Sequence, residues 1–316
     1  MAITTTSSLP APVAIAFSYK LLAVPTPTLI HGVAAMKKEM PRNRGDIMRF
    51  RRYNPLATAM VPLGNTGITP PAQQLSAINI DAKIEWYGTY VVLNEQVVLT
   101  NEDPALNEAA ARLGVSLRQT QDQLLRDMLA STASFVNAVS GGNGDNPTNI
   151  SEPDVDDIIT TLITNNAYMI LDNVEGDLKF GTSPVRESYI AMANSRLNSD
   201  IDNMTGFISK YNYPNQNPTL PSEIGSFKNV RFLISSIGSV SPNASALGQN
   251  VYNIFIAARE AYACIYQNGA SAEFIYRDPL YDGPLALNGS TAYKFAEAPV
   301  LLNDTWLLNL RVTKNV

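Results

Sequence analysis

The chain has 316 residues, 45% of them hydrophobic and only 16% charged, and a formal net charge of −5. That length allows one large domain or two modest ones with a sizeable core, and the acid excess argues against a general nucleic-acid-binding protein. The single cysteine, Cys264, excludes an intrachain disulfide, and no apolar run approaches the ~18 residues of a membrane span.

Residues 1 to 36 contain Lys20 and no acid, among many Thr, Ser, Ala and Pro. Thr and Ser stand where a secretory signal needs positive charge, and Pro10, Pro12, Pro25 and Pro27 interrupt the apolar stretch. The segment cannot form a core alone, yet Val13, Ile15, Phe17, Leu21, Leu22, Leu29 and Ile30 make it too apolar for a solvated tail. It reads as an extended arm lying across a neighbouring subunit, with a floppy terminus as the alternative. A surface this poor in charge also fits a chain that covers itself with identical neighbours.

The only basic cluster follows: Lys37, Lys38, Arg42, Arg44, Arg49, Arg51 and Arg52, diluted by Glu39 and Asp46. Ile47, Met48, Phe50 and Tyr53 interleave with the arginines as in a two-sided strand. Residues 54–71 are rich in turn formers, and Leu75 to Ile84 reads as a returning strand, so the two make a long hairpin. Residues 86–99 (WYGTYVVLNEQVVL) are strongly β-prone.

A long amphipathic helix is expected from Asp103 to Ala138, capped by Asp103 with Pro104 at its first position. Leu106, Ala110, Leu113, Leu117, Leu124, Met128 and Phe135 form one stripe, widened by Leu125, Leu129 and Val136. Glu108 with Arg112, and Asp122 with Arg126, pair at i,i+4 on exposed faces. Gly141, Gly142 and Gly144 terminate it. At 1.5 Å per residue such a helix is about 50 Å long, which suits an elongated molecule.

Ser151 and Asp154 form a capping pair for a helix through Ile163. Beyond it the pattern is mixed: strands near 189–192, 230–235, 251–257, 273–276 and 291–312, and a short helix near 194–204. The whole reads as α+β with two lobes.

Chemistry is hard to find. A Ser-His-Asp or Cys-His arrangement would have to use His31, the only histidine, which sits in the proline-rich arm. Cys264, in the run Ala263-Cys264-Ile265, reads as a small buried apolar residue. Asp154, Asp156 and Asp157 read as helix-dipole partners, with calcium as the alternative. Gly141-Gly142-Asn143-Gly144 lacks the Lys-Ser/Thr of a phosphate loop. No enzyme, cofactor or metal site is expected.

Certain runs are similar to a known family. Gly45-Asp46-Ile47-Met48-Arg49-Phe50-Arg51-Arg52-Tyr53 resembles the opening strand of the extended hairpin in major capsid proteins of N-four-like podophages, a group of tailed bacteriophages. Asp103-Pro104-Ala105-Leu106 with Arg126-Asp127 resembles that family's spine helix. Residues 223–232 (EIGSFKNVRF), 258–262 (AREAY) and 294–304 resemble its later strands, so the likeness runs in order from about 45 to 313. The loop tip Pro62-Leu63-Gly64-Asn65 lacks the acid expected there, and Leu171 to Val185 has no counterpart.

The resemblance implies the Hong Kong 97 capsid fold. Residues 1–45 would be the N-terminal arm and 46–75 the extended loop. Residues 76–149 would hold the peripheral-domain strands and spine helix, 150–270 the axial domain, and 271–316 the closing strands and a peripheral loop. The implied function is a major capsid protein that self-assembles into an icosahedral shell around packaged double-stranded DNA; the alternative is an encapsulin-like nanocompartment shell. Implied partners are itself in pentamers and hexamers, a separate scaffolding protein, a portal, an optional decoration protein, and DNA bound without sequence preference on the inner face. Residues 1–36 lack the charge and periodicity of a fused scaffold, so no large N-terminal cleavage is expected. The implied location is the virion capsid, assembled in the bacterial cytoplasm. Arg42, Arg44, Arg49, Arg51 and Arg52 are the candidate intersubunit contacts: strand alternation puts Arg49 and Arg51 on one face and Arg52 on the other, which favours ion pairs with a neighbour over one DNA-facing surface.

Overall fold

A computed structural model of the chain describes residues 26–60, 72–96, 105–131, 134–170, 187–213, 219, 220, 222–270, 272–278, 285 and 287–314. The arm residues 1–25, the loop tip at 62–65, the expected cap at Asp103 and Pro104, and the unmatched stretch 171–185 therefore lie outside the described residues.

In chain order the strands are β1 (Met36–Met40), β2 (Ile47–Tyr53), β3 (Ala77–Lys83), β4 (Glu85–Asn94), β5 (Phe135–Asn137), β6 (Tyr189–Asn194), β7 (Ile208–Ser209), β8 (Glu223–Phe227), β9 (Val230–Ser235), β10 (Val240–Ser241), β11 (Val251–Ala257), β12 (Tyr262–Gln267), β13 (Glu273–Arg277), β14 (Asn288–Leu301) and β15 (Leu307–Thr313). The helices are α1 (Ala105–Ala130), α2 (Glu152–Thr164) and α3 (Asn198–Asp202). β2 and β3 pair as the expected antiparallel hairpin.

Two sheets organise the rest. The first is built on β14, which takes β4 along one edge and β12 and β13 along the other, with β1 parallel to β12 at the margin. The second runs β5-β15-β11-β6-β9-β8-β7, with β10 beside β11. Its middle strands, such as β6 and β11, are buried along their whole length. Burial on both faces explains why they read as continuous apolar runs rather than alternating ones. Val155, Ile158 and Leu162 of α2 pack on one face against Tyr189, Phe232, Ile254 and Leu310. Leu125 and Leu129 of α1, with Ile30, pack on the other against Met192, Leu233 and Phe255.

α1 joins the two sheets. Its first half rests Leu113 and Leu117 on Tyr293 and Phe295 of the β14 sheet, and its second half enters the other core. The ridge Leu113, Leu117, Leu125, Leu129 follows i+4 steps, and such a ridge winds about 40° around the axis at each step. One straight helix thus presents successive residues to two differently oriented sheets. The stripe of the sequence reading holds for Leu113 and Leu117 and then drifts: Leu124 is only half-buried, whereas the widening pair Leu125 and Leu129 is buried.

Three expectations need correction here. The helix ends at Ala130, not Ala138, and at 26 residues is about 39 Å long. The Ser131 hydroxyl donates to the Met128 carbonyl (2.6 Å) as the helix ends, and Phe135–Asn137 gain more as a strand, pairing in parallel with Asn309–Arg311. Tertiary pairing overrides local propensity at this point. The glycines after it terminate nothing; they wrap the α2 N-terminus. Val139 and Gly141 N–H groups donate to Asp154 Oδ1 (3.0 and 2.9 Å), and Gly142 N–H donates to Asp157 Oδ2 (2.6 Å). Asp154 also closes the expected capping box with Ser151, while Asp156 pairs with Lys228. The three acids are thus committed to loop amides, a cap and a lysine. The third correction concerns Asp122, which is 4% exposed and does not pair with Arg126. Arg126 instead pairs with Asp127 and donates to the Ile237 carbonyl. Glu108–Arg112 does form at i,i+4.

Candidate assembly surface

The basic cluster runs from β1 through the following turn into the hairpin, where β2 carries Arg49, Arg51 and Arg52. Arg49 faces Asp81 across the ribbon and Arg51 faces Asn79, while Arg52 lies on the opposite face beside Ile78. Arg49 Nε and Nη2 donate to the two Asp81 oxygens (2.6 and 2.8 Å). This bond holds the Asp81 carboxyl below and the Arg49 guanidinium above their ordinary values; both are fully exposed, so the pair is screened and adds little stability. Arg51 Nε donates to Asn79 Oδ1 (2.9 Å) and Arg42 Nε to the Asn268 carbonyl (3.2 Å). Arg44 and Arg52 are exposed and have no side-chain partner among the described residues. Three of the five candidate arginines are therefore anchored within their own chain, and two project.

The ribbon's other face is apolar toward its base, with Arg52 farther out. Met48, Phe50, Ile80 and Ala82 seat its base on Ile265, Ala296 and Ala298 of the β14 sheet, on the side opposite α1. A two-stranded ribbon is marginal alone, and this contact anchors its root while leaving Ile47, Tyr53 and Ile78 exposed. The same sheet face continues beyond the ribbon as Trp86, Tyr90, Val92 and Ile275, also exposed. Lys294 lies between them, bridged to Glu273 (3.1 Å) and set 5.9 Å from the Trp86 ring centre.

Two interior groups were read differently from the sequence. His31 is fully buried; its backbone N–H donates to Asp122 Oδ1 (2.9 Å) and its Nδ1 lies 2.7 Å from Asp122 Oδ2. The Tyr262 hydroxyl donates to the His31 carbonyl (2.6 Å). The arm is thus clasped to α1 at His31. Among the described residues no nucleophile joins this pair, and His31 Nε2 has no hydrogen-bond partner. Cys264 is not in an apolar pocket. It lines an 870 Å³ cleft between residues 29–37, α1 and β12, with its thiol donating to Glu297 Oε1 (2.7 Å). Gln121 donates to the other Glu297 oxygen (2.9 Å). Burial first, then Glu297, pushes the thiol up, and burial raises the Glu297 carboxyl. These groups satisfy one another, and among the described residues no cluster of His, Cys, Asp and Glu is arranged to hold a metal.

A long hairpin rooted on one sheet, a helix spanning two cores and a broad uncovered apolar face describe a subunit built to meet neighbours. The family model described as phage capsid protein matches residues 78–277. The chain belongs to this family. Solved capsids share the fold of the capsid subunit. That of Ralstonia phage GP4 superposes with a TM-score of 0.71 at 12% identity, covering 96% of each chain. The capsid of cyanophage P-SCSP1u gives 0.68 at 10% identity, covering 96% of this chain and 94% of that one. The acid-stable capsid of Helicobacter pylori bacteriophage KHP30 gives 0.67 at 9% identity, covering 99% and 98%. A comparison with curated proteins finds no match. The capsid subunit thus has the α+β Hong Kong 97-type fold, and it is a major capsid protein of a tailed phage.

The sequence reading missed the His31–Asp122 clasp and the Cys264–Glu297 contact. A charged residue at a stripe position was the available signal for the first: Asp122 lies three residues before Leu125 and seven before Leu129 on the buried ridge. Nothing local announced the second, because Glu297 is 33 residues away from Cys264.

Proposed function

We propose that copies of this capsid protein gather in pentamers and hexamers and close an icosahedral shell around packaged double-stranded DNA. Assembly takes place in the bacterial cytoplasm with a separate scaffolding protein, a portal and an optional decoration protein. The role is structural rather than catalytic, so its chemistry is that of interfaces. The observation that carries the reading is the family match over 78–277 on a subunit with a projecting basic hairpin. That family does not favour the encapsulin-like alternative.

In this reading the arm is 1–45 and the extended loop is the 46–75 segment, prolonged to Lys83 by the returning strand. The peripheral domain is the β14 sheet with α1 as its spine, and the axial domain is the second sheet with α2. The likeness to the N-four-like group rests on the sequence runs at 45–53, 103–106 with 126–127, 223–232, 258–262 and 294–304.

Within the basic cluster, Arg49 and Arg51 brace the hairpin across its two strands, Arg42 ties the turn before it to the end of β12, and Arg44 and Arg52 reach acids on the adjacent subunit. Outside 37–52 the chain carries an excess of acid, so acceptors are available, and guanidinium binds carboxylate in two-pronged fashion. Each exposed pair is weak, but a shell repeats it in every subunit. The test is the double charge reversal Arg44→Glu with Arg52→Glu. Empty shells should fail to assemble before any DNA is present. Normal empty shells that fail only on packaging would assign these arginines to DNA instead.

A further inference from the structure

β4 forms one margin of the β14 sheet. Its inner edge pairs with β14 along all ten residues, Glu85 to Asn94 against Glu297 to Asn288. Its outer edge has no strand partner among the described residues. Exposed sheet edges are normally short, charged, bulged or interrupted by proline, because unpaired N–H and C=O groups recruit other strands. The other marginal strands follow this rule, β13 by being five residues long with Glu273 and Arg277 at its ends. β5 has three residues and β7 two. β1 carries Lys37, Lys38 and Glu39, and the hairpin strands carry Arg49, Arg51, Arg52, Asp81 and Lys83. β4 does not: Trp86-Tyr87-Gly88-Thr89-Tyr90-Val91-Val92-Leu93 holds no charge and no proline, and its register is unbroken. Its side chains are exposed at Trp86 (62%), Tyr90 (68%) and Val92 (53%).

We infer that the outer edge of β4 is a strand-addition site whose occupant is β4 of a second copy, antiparallel across a two-fold axis normal to the sheet. The inference rests on the shell reading, since an icosahedral shell supplies identical neighbours and two-fold axes. An uncharged strand offers nothing to nucleic acid or to a charged partner, whereas it complements itself. A two-fold normal to the sheet keeps each residue opposite one on the same face, which leaves few registers. Centred on Tyr90, the pairing would set Trp86 against Asn94 and Gly88 against Val92. Centred on Val91, it would pair only Gly88 to Asn94 and leave Trp86 and Tyr87 beyond the end of the partner strand. Centred on Thr89, it sets Trp86 against Val92, Tyr87 against Val91, Gly88 against Tyr90 and Thr89 against itself. That register gives an aromatic–β-branched pair on each face, covers the glycine with a ring, and sets Glu85 against Leu93, so no two charges meet.

Cysteine scanning of the full chain reads the register directly. Thr89→Cys, Tyr90→Cys and Val91→Cys are assembled into shells under reducing conditions, oxidised mildly, and run on non-reducing gels beside the wild type, whose Cys264 thiol is engaged by Glu297. Thr89→Cys should give a disulfide dimer as the main band, at least tenfold above Val91→Cys. In the predicted register two Val91 positions sit four residues out of step, about 13 Å apart, and disulfides need Cα atoms within about 7 Å. A main dimer band at Tyr90→Cys or Val91→Cys instead overturns this register. Monomer from all three in normal shells overturns edge pairing and leaves the shell reading standing, whereas a wild type that forms no shells contradicts both. Hydrogen exchange on wild-type protein gives a test free of variants. The outward amides of β4 should exchange at least tenfold more slowly in shells than in free subunits, and equal rates would contradict the pairing.

Discussion

Asp122→Ala is the sharpest perturbation of the subunit itself. The carboxylate accepts the His31 backbone N–H at 2.9 Å and lies 2.7 Å from Nδ1, in a site where His31 is fully buried. Alanine removes both acceptors and leaves two donors in the interior. Each orphaned donor costs about 1–3 kcal/mol, so the two together cost about 2–6 kcal/mol. Even the lower bound exceeds the ~0–1 kcal/mol of an exposed ion pair. Against a typical domain stability of about 5–15 kcal/mol the loss is a large fraction. Urea unfolding of the unassembled subunit, followed by tryptophan fluorescence, should show a midpoint drop corresponding to about 2–6 kcal/mol. Asp122→Asn keeps one acceptor and should recover part of it. A loss below about 1 kcal/mol for the alanine variant would mean that the arm is not held by this clasp.

Leu117→Ala, at a buried site against Tyr293 and Phe295, should cost about 2–5 kcal/mol and send much of the expressed protein to the insoluble fraction; normal yields would place the ridge in solvent. Arg231→Met leaves Glu223, fully buried and bridged at 2.6 Å, without its cation, and should lower stability by about 3–5 kcal/mol in the same urea assay. Asp81→Ala, by contrast, should leave the unfolding midpoint unchanged, because the Arg49–Asp81 pair is fully exposed. The Cys264 thiol is raised on folding, so its contribution is whole below about pH 8.5 and declines as the pH rises, when the unfolded chain loses the proton first. Tyr213, raised to about 12, extends the decline from about pH 10 upward. Urea midpoints should therefore fall between pH 8 and 10, and Cys264→Ala should flatten the first part of that fall.

The hairpin, β6, β9, β11, β13 and α2 were legible in the sequence because each shows a local period or a continuous apolar run, whereas β1 and β12 were not read as strands from their residues. Alternation in 47–53 fixed the faces of Arg49, Arg51 and Arg52, and Ser151 with Asp154 announced the α2 start. The α1 stripe was legible only while it faced one partner. Past Leu117 the helix turns toward a second sheet, and a seven-residue repeat tracked the wrong side of it. Phe135–Asn137 carried the same apolar spacing as a helix, and only the edge of β15, more than 170 residues later, makes it a strand. The interior polar contacts were hidden for a related reason. Asp122 read as a surface residue by type, and its partner His31 lies 91 positions away. The marginal position of β4, on which its exposed edge depends, is a property of sheet order and could not be read from the strand alone.

The central claim is that copies of this chain close a shell, and electron cryo-microscopy of the protein expressed in bacteria tests it most directly, with and without the scaffolding protein of its phage. The account predicts closed icosahedral particles of pentamers and hexamers whose density fits this subunit, with each hairpin reaching onto a neighbour. A monodisperse monomer or dimer under both conditions would contradict it.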